Sequence, residues 1–299
     1  MMPHLIPCTI GALMMTAVLS SCSWLKSGDA EEPNTPDARM AQHTKHLQHQ
    51  GKGKVSAPGR EADAAKYIAS CLSDMGYAVT MQPINEGTSP KEKTKYNVLV
   101  FKPGLYSNNK SIVVGAHYAS DGNGCGSAAL LLETANALKD ILTNHNVYLV
   151  AYADGATAAA AHAQALRGRI GTSNMMGMIN LEAARGTETA SQDAVQFITT
   201  PGGSSFTAVC TVPFTKSWGH VPSLMKQQAL HLTGNDRPYA AMGIPTLTCR
   251  YKASISAPDT GNYVQALTDM IHHVADREFP SLEKKTKEEP QESANQEQP

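Results

Sequence analysis

Residues 147–152 (VYLVAY) form an apolar run with no polar face. A strand of this kind is covered on both sides, the usual setting of a parallel sheet between helix layers. Asp154-Gly155 breaks the run, and an alanine-rich helical stretch follows, reaching about Leu166. The same alternation continues along the chain. Strands are expected at 78–82, 96–101, 112–116, 178–181 and 246–250, and helices at 61–75, 127–142 and 263–277. Gly76 suits the stop of the first of these helices. The pattern predicts an α/β fold: three layers, α/β/α, around a mostly parallel mixed sheet.

Composition narrows the function. With 41% hydrophobic and 17% charged residues, the 299-residue chain can fill one sizeable core. A formal net charge of -1, with no dense basic cluster, argues against a nucleic-acid partner. The stretch 5–19 (LIPCTIGALMMTAVL) is too short and too Pro-interrupted to span a bilayer comfortably, and it reads as a targeting segment. It ends in Leu19-Ser20-Ser21-Cys22, which resembles the lipobox of bacterial lipoproteins. The resemblance implies cleavage after residue 21 and acylation of Cys22, each buried CH₂ adding roughly 0.8 kcal/mol of membrane affinity. Two features stand outside the pattern: the n-region carries His4 but neither Lys nor Arg, and Ser23 replaces the aspartate that often signals inner-membrane retention. The expected location is therefore the cell envelope, at the outer membrane. An ordinary secretory signal with an incidental cysteine is the plainer alternative.

The expected division is a signal at 1–21, a polar tether at 22–40, one domain at 41–278 and a disordered charged tail at 279–299. Cys71, Cys125, Cys210 and Cys249 show no metal-ligand spacing. An envelope compartment permits disulfides, which leaves both a Cys210–Cys249 bridge and buried free thiols open.

The most specific stretch is 112–118, IVVGAHY, preceded by NVLVF and followed by GNGCGSAALLLETANAL, AAMGIPTLT and APDT. In that order the segments resemble the co-catalytic zinc exopeptidases: bacterial leucyl aminopeptidases, glutamate-carboxypeptidase-like enzymes and glutaminyl cyclases. The resemblance covers about residues 57–275. It implies two zinc ions that hold a water nucleophile and polarise a carbonyl, with a glutamate moving the proton.

Carried over position by position, that chemistry thins out. The GAHYDS-like motif reads GAHYAS here, so His117 matches a ligand histidine while Ala119 stands where its orienting aspartate belongs. Loss of such a partner alone costs about 10–100-fold in metal affinity or activity. The bridging aspartate falls on Asn123 or Gly122, and Asp121 lies close enough to substitute through a shifted loop. The Glu-Glu pair of general base and ligand becomes Ala156-Thr157. The N-[LF]-D motif reads Asn180-Leu181-Glu182, a replacement that keeps the charge with a longer reach, and the last ligand histidine is Ile255. The resemblance thus leaves His117 and Glu182 as an incomplete metal set, with no catalytic residue and no cofactor expected. A missing general base alone removes about 10²–10⁴ of rate.

Other features have plain explanations. Gly122, Gly124 and Gly126 lack the dinucleotide spacing and the P-loop lysine of a phosphate loop. Ser120 and Ser127 lack a nucleophile elbow, and His231, His272 and His273 show no site spacing. Two functions follow. One is a membrane-anchored, non-catalytic protein that keeps the exopeptidase fold and binds an unknown peptide or protein ligand. The other is an active aminopeptidase or glutaminyl cyclase with zinc ligands relocated to Asp121, Asp154, Glu182 and Asp236.

Overall fold

The computed structural model describes residues 35–49, 59–84, 94–106, 108–118, 122–153, 156–183, 194–228, 232, 234–252 and 259–277. The expected signal, Cys22 and the charged tail lie outside these. In chain order the elements are α1 (Pro36–His49), α2 (Gly59–Asp74), β1 (Val79–Ile84), β2 (Lys95–Lys102), β3 (Ser111–His117), α3 (Gly122–Leu138), β4 (Asn146–Tyr152) and α4 (Ala156–Ile170). There follow β5 (Met175–Ala183), β6 (Val195–Thr199), α5 (Ser204–Trp218), β7 (Ser223–Lys226), α6 (Arg237–Ala241), β8 (Thr246–Tyr251) and α7 (Thr260–Asp276).

The apolar run is β4, buried along its whole length. It lies inside one eight-stranded sheet ordered β1-β2-β4-β3-β5-β8-β6-β7. The middle four strands, β4, β3, β5 and β8, run parallel, while β1–β2, β2–β4 and β6–β8 pair antiparallel. Helices α1, α2, α3, α5 and α7 pack together over one face, and α4 with α6 lies on the other. The architecture is thus the expected three-layer α/β/α arrangement. Each layer follows from the strands, because β3 and β4 present apolar side chains both ways and neither face tolerates water.

Helix α3 shows how tightly the layers close. Its residues 124–135 are buried throughout, Glu133 included, at 1% exposure. A buried carboxylate requires a cation. Arg39 supplies it from α1: Nε donates to both Glu133 oxygens at 3.1 Å, and a terminal nitrogen donates to Oε2 at 2.8 Å. His43 Nε2 stands 3.6 Å from Oε1. Burial pushes the Glu133 carboxyl up, but hydrogen bonds from His43 and Arg39 outweigh it and hold the group below its ordinary value. The expected domain start at residue 41 falls inside α1. Helix α1 begins at Pro36, Arg39 is an anchor, and Met40 is fully buried.

Two further differences have local causes. Helix α3 spans Gly122–Leu138 rather than 127–142. Segment 141–145 leaves the helix because its backbone bonds elsewhere: Asn144 N–H donates to Asp276 Oδ1 (3.0 Å) and His145 N–H to the Ala275 carbonyl (2.9 Å). Helices α1, α5 and α6 and strands β6 and β7 were not foreseen. Helix α5 carries Pro213 in its interior and is rich in threonine, so its helical signal is weak, and tertiary packing of Phe206, Cys210 and Phe214 holds it. The four described cysteines are free thiols, including Cys210 and Cys249.

The ion pair makes a testable demand. Arg39→Met leaves Glu133 buried without its cation, and the expected loss, read from urea denaturation, is on the order of 3 kcal/mol. Adding Glu133→Gln recovers much of that loss. Equal stability of Arg39→Met and the parent would show that α1 is dispensable to the domain.

Candidate functional site

The chain after β3 crosses through α3 to β4 on one side, then returns through α4 to β5 on the other. Strand β3 therefore marks a switch in strand order, with a helix layer on each face. In an open sheet of this kind the crevice beyond the strands' carboxyl ends is where ligands gather. His117, the last residue of β3, is half-buried at that crevice. The parallel register Gly115↔Asn180 puts Glu182, near the end of β5, two residues further on, level with His117. The expected site residues thus come from neighbouring strands on the same face of the sheet.

Glu182 is already occupied. Its direct register partner on β8 is Arg250. The guanidinium donates to Glu182 Oε2 from Nε and from a terminal nitrogen, both at 2.9 Å. The amide of Asn180 donates to Oε1 at 3.0 Å. Both carboxylate oxygens therefore hold protein donors, and a guanidinium supplies the positive charge that a metal would bring. The pair is partly solvated, with side chains 22% and 37% exposed, so its worth lies in charge neutralisation more than in net stability.

A second carboxylate converges on the same spot. Asp236 Oδ2 accepts a hydrogen bond from the Thr248 hydroxyl at 2.8 Å, and Asn235 donates to Asn180 Oδ1 at 3.3 Å. Gly234 makes this convergence possible. A β-carbon there would stand 3.0 Å from Asp236 Oδ1, 3.2 Å from Asn180 Nδ2 and 3.2 Å from Glu182 Oε1. Asp236 is 2% exposed, and burial first, then the neighbouring Glu182 charge, raises its carboxyl above the ordinary range against the bond from Thr248.

What holds this loop in place begins at another glycine. A β-carbon on Gly115 would meet the Tyr152 ring at 2.4 Å, so only glycine lets that ring lie across β3. The Tyr152 hydroxyl then meets Tyr239 of α6 at 2.8 Å, and Tyr239 bonds His162 Nδ1 of α4. Through Tyr239 the short α6 is fixed over the sheet, and with it the 234–236 loop. His162 is buried in this network, and burial lowers its pKa to about 4.

The remaining positions offer little chemistry. Thr157 is exposed in the first turn of α4. Ala119, Asp121, Asp154 and Ile255, like His231, lie outside the described residues, and of Asn123 and Ala156 only the helical backbone is described. Ser127 is committed to structure, its hydroxyl accepting from Ala183 N–H at 3.0 Å. His272 pairs with Asp276 at 3.1 Å on α7. Among the described residues no three His, Cys, Asp or Glu side chains cluster as a metal site. Among the described residues the donor set does not fit a two-zinc centre, because Arg250 and Asn180 fill the coordination positions of Glu182. Sequence reasoning missed Arg250, Thr248 and the role of Asn180. Alignment of β5 with β8 was the signal that would have paired Glu182 with Arg250.

Solved structures similar to this chain in fold include zinc exopeptidases and a glutaminyl cyclase. The aminopeptidase from Aneurinibacillus sp. strain AM-1 matches 81% of the chain and 96% of its own length at 12% identity and a TM-score of 0.60. The LapA aminopeptidase of Legionella pneumophila covers 85% of the chain and 79% of its own at 12% identity, TM-score 0.62. Glutaminyl cyclase of Bacteroides thetaiotaomicron, solved with N-acetylhistamine, covers 83% and 99% at 12% identity, TM-score 0.56. No family model and no curated protein matches the sequence. The chain has the zinc-exopeptidase fold.

Two titrations follow. The folded pKa of Asp236 is raised, so its ionised form costs stability that appears as pH rises from about 3.8 through the folded value. Asp236→Asn is expected to raise the urea midpoint at pH 7, with the gain gone below pH 3.8. His162 has the opposite slope. Its folded pKa is depressed, so the unfolded chain binds the proton first, and stability falls by about 3 kcal/mol between pH 6.5 and pH 4. His162→Gln should flatten that slope, measured as denaturation midpoint against pH.

Proposed function

We propose that this chain is a lipid-anchored, non-catalytic envelope protein that uses the exopeptidase fold to bind a peptide or protein ligand. One observation carries the reading: the carboxylate at a metal-ligand position, Glu182, is neutralised by Arg250 and bonded by Asn180. Evolution of a metal site into an ion pair keeps the local charge balance while removing the Lewis acid. His117 stands level with Glu182 in the sheet register, and among the described residues no three His, Cys, Asp or Glu side chains cluster as a zinc centre requires. Thr157, at the position of a ligand glutamate, provides a hydroxyl that neither binds zinc competently nor accepts a proton near neutral pH.

A second reading takes its support from the convergence of Asp236 and Glu182 on Gly234. In it, relocated carboxylates, with Asp121 and Asp154, hold zinc for an aminopeptidase or glutaminyl cyclase reaction. The lipid anchor rests on Leu19-Ser20-Ser21-Cys22. No helix among the described residues is long and apolar enough to cross a membrane.

Zinc content separates the two readings. The purified chain is expected to carry no stoichiometric zinc and to leave aminoacyl-anilides intact, and Arg250→Ala is expected to stay zinc-free because the other donors remain missing. Near-stoichiometric zinc together with chelator-sensitive hydrolysis would establish the enzyme instead. Mass spectrometry of the membrane-extracted protein tests the anchor: acyl chains on Cys22 and a soluble Cys22→Ala variant are expected.

A further inference from the structure

The end of the sheet remote from the candidate site has its own character. Strands β3, β4 and β5 begin there, β2 ends there, and so do helices α2, α3, α4 and α7. Of eight large apolar side chains that stand exposed among the described residues, four belong to this end: Phe101, Leu105, Tyr106 and Leu142. Leu105 and Leu142 are 64% and 69% exposed.

These side chains are held outward by a rigid backbone. Leu105 N–H donates to the Thr143 carbonyl at 2.8 Å and Tyr106 N–H to the Asn144 carbonyl at 2.9 Å, which joins the two loops. The second loop is in turn bonded to the end of α7 through Asn144 and His145. The edge of the Tyr106 ring contacts His145, with centroids 5.4 Å apart. Phe101 packs on Tyr148 at 5.1 Å, and the Arg169 guanidinium lies over its ring at 5.6 Å. With every one of these loop bonds made, exposure of the leucines does not come from a loose segment.

Cations outnumber carboxylates at this end. Lys110 before β3, Lys139 after α3, Arg167 and Arg169 in the last turn of α4, and Arg277 after α7 all sit there. Against them stand Asp74, Asp140 and Asp276, the last engaged with Asn144 and His272. A local cationic excess on a chain of formal net charge -1 is a segregated feature. Aliphatic and aromatic side chains at an end that also carries Lys and Arg match the depth profile of an anionic bilayer surface: leucine and phenylalanine enter the acyl boundary, tyrosine sits at the headgroups, and the cations meet lipid phosphates.

We propose that this end of the domain docks on an anionic phospholipid surface. The geometry turns the crevice at the opposite end of the strands away from the bilayer, toward ligands in the surrounding compartment. The proposal rests on the envelope placement given above, but its test does not need the lipid anchor.

That test uses the chain from residue 22 onward with Cys22→Ala, without the apolar 5–19 segment, sedimented with phosphatidylcholine vesicles with and without phosphatidylglycerol. The expected result is co-sedimentation with the anionic vesicles, weakened by salt, and a bound fraction reduced about tenfold in Leu105→Asp/Leu142→Asp and in Arg167→Glu/Arg169→Glu. All four substitutions are at exposed positions, and unchanged urea midpoints would confirm that the variants fold. Absence of binding to either vesicle, equal binding to both, or binding indifferent to these substitutions would overturn the proposal. So would light scattering that shows a dimer dispersed by Leu105→Asp/Leu142→Asp, which would assign the patch to a second copy of the chain. Failure to find acyl chains on wild-type Cys22 would count against the anchor alone.

Discussion

Strands β3, β4 and β5 are buried almost completely, and the rest of the molecule answers to that. A parallel strand with no wet face needs helices above and below it, and a crossover long enough to bring the chain back to the same end. The layers of α1, α2, α3, α5 and α7 on one side and α4 with α6 on the other are the consequence. So is the switch point, because the α3 crossover runs from β3 to β4 on one side and the α4 crossover runs from β4 to β5 on the other.

Burial on that scale also sets the terms for every charge inside it. Glu133 lies in the middle of a helix with no water to solvate it, so α1 has to lie alongside and supply Arg39 and His43. At the crevice the same rule operates with a different outcome. Glu182 has its cation in Arg250, whereas Asp236 has hydrogen bonds and an acidic neighbour. A carboxyl pushed upward in a cleft is the usual mark of a functional site. Here it sits beside a carboxylate held by an in-chain guanidinium.

The two ends of the sheet are therefore chemically unlike. One collects glycines, amides, carboxylates and the Arg250 guanidinium around Gly234. The other presents aliphatic and aromatic groups on hydrogen-bonded loops among lysines and arginines. The division follows from topology: in a parallel sheet all strand starts share one end and all strand stops the other, so side chains in loops of one kind are gathered without any contact being specified in sequence.

Much of this was legible beforehand. The apolar run at 147–152 and the alternation of strands and helices announce an α/β sheet, because burial on two faces leaves a periodicity that is local in the chain, and the GAHY, LLE and NLE motifs resemble those of the zinc exopeptidases. At Ala156, Thr157 and Ile255 that resemblance implies a lost general base and two lost ligands, which residue type alone conveys. Three things were decided only in three dimensions. Pro36–Met40 look like tether until α1 is seen sealing Glu133, a partner 94 residues away. Helix α5, with an internal proline, becomes helical by packing rather than by propensity. Arg250 faces Glu182 across 68 residues because β5 and β8 happen to be neighbours in that register. Periodicity and residue type are written along the chain, but which charge neutralises which is a matter of strand order, and that emerges only when the sheet closes.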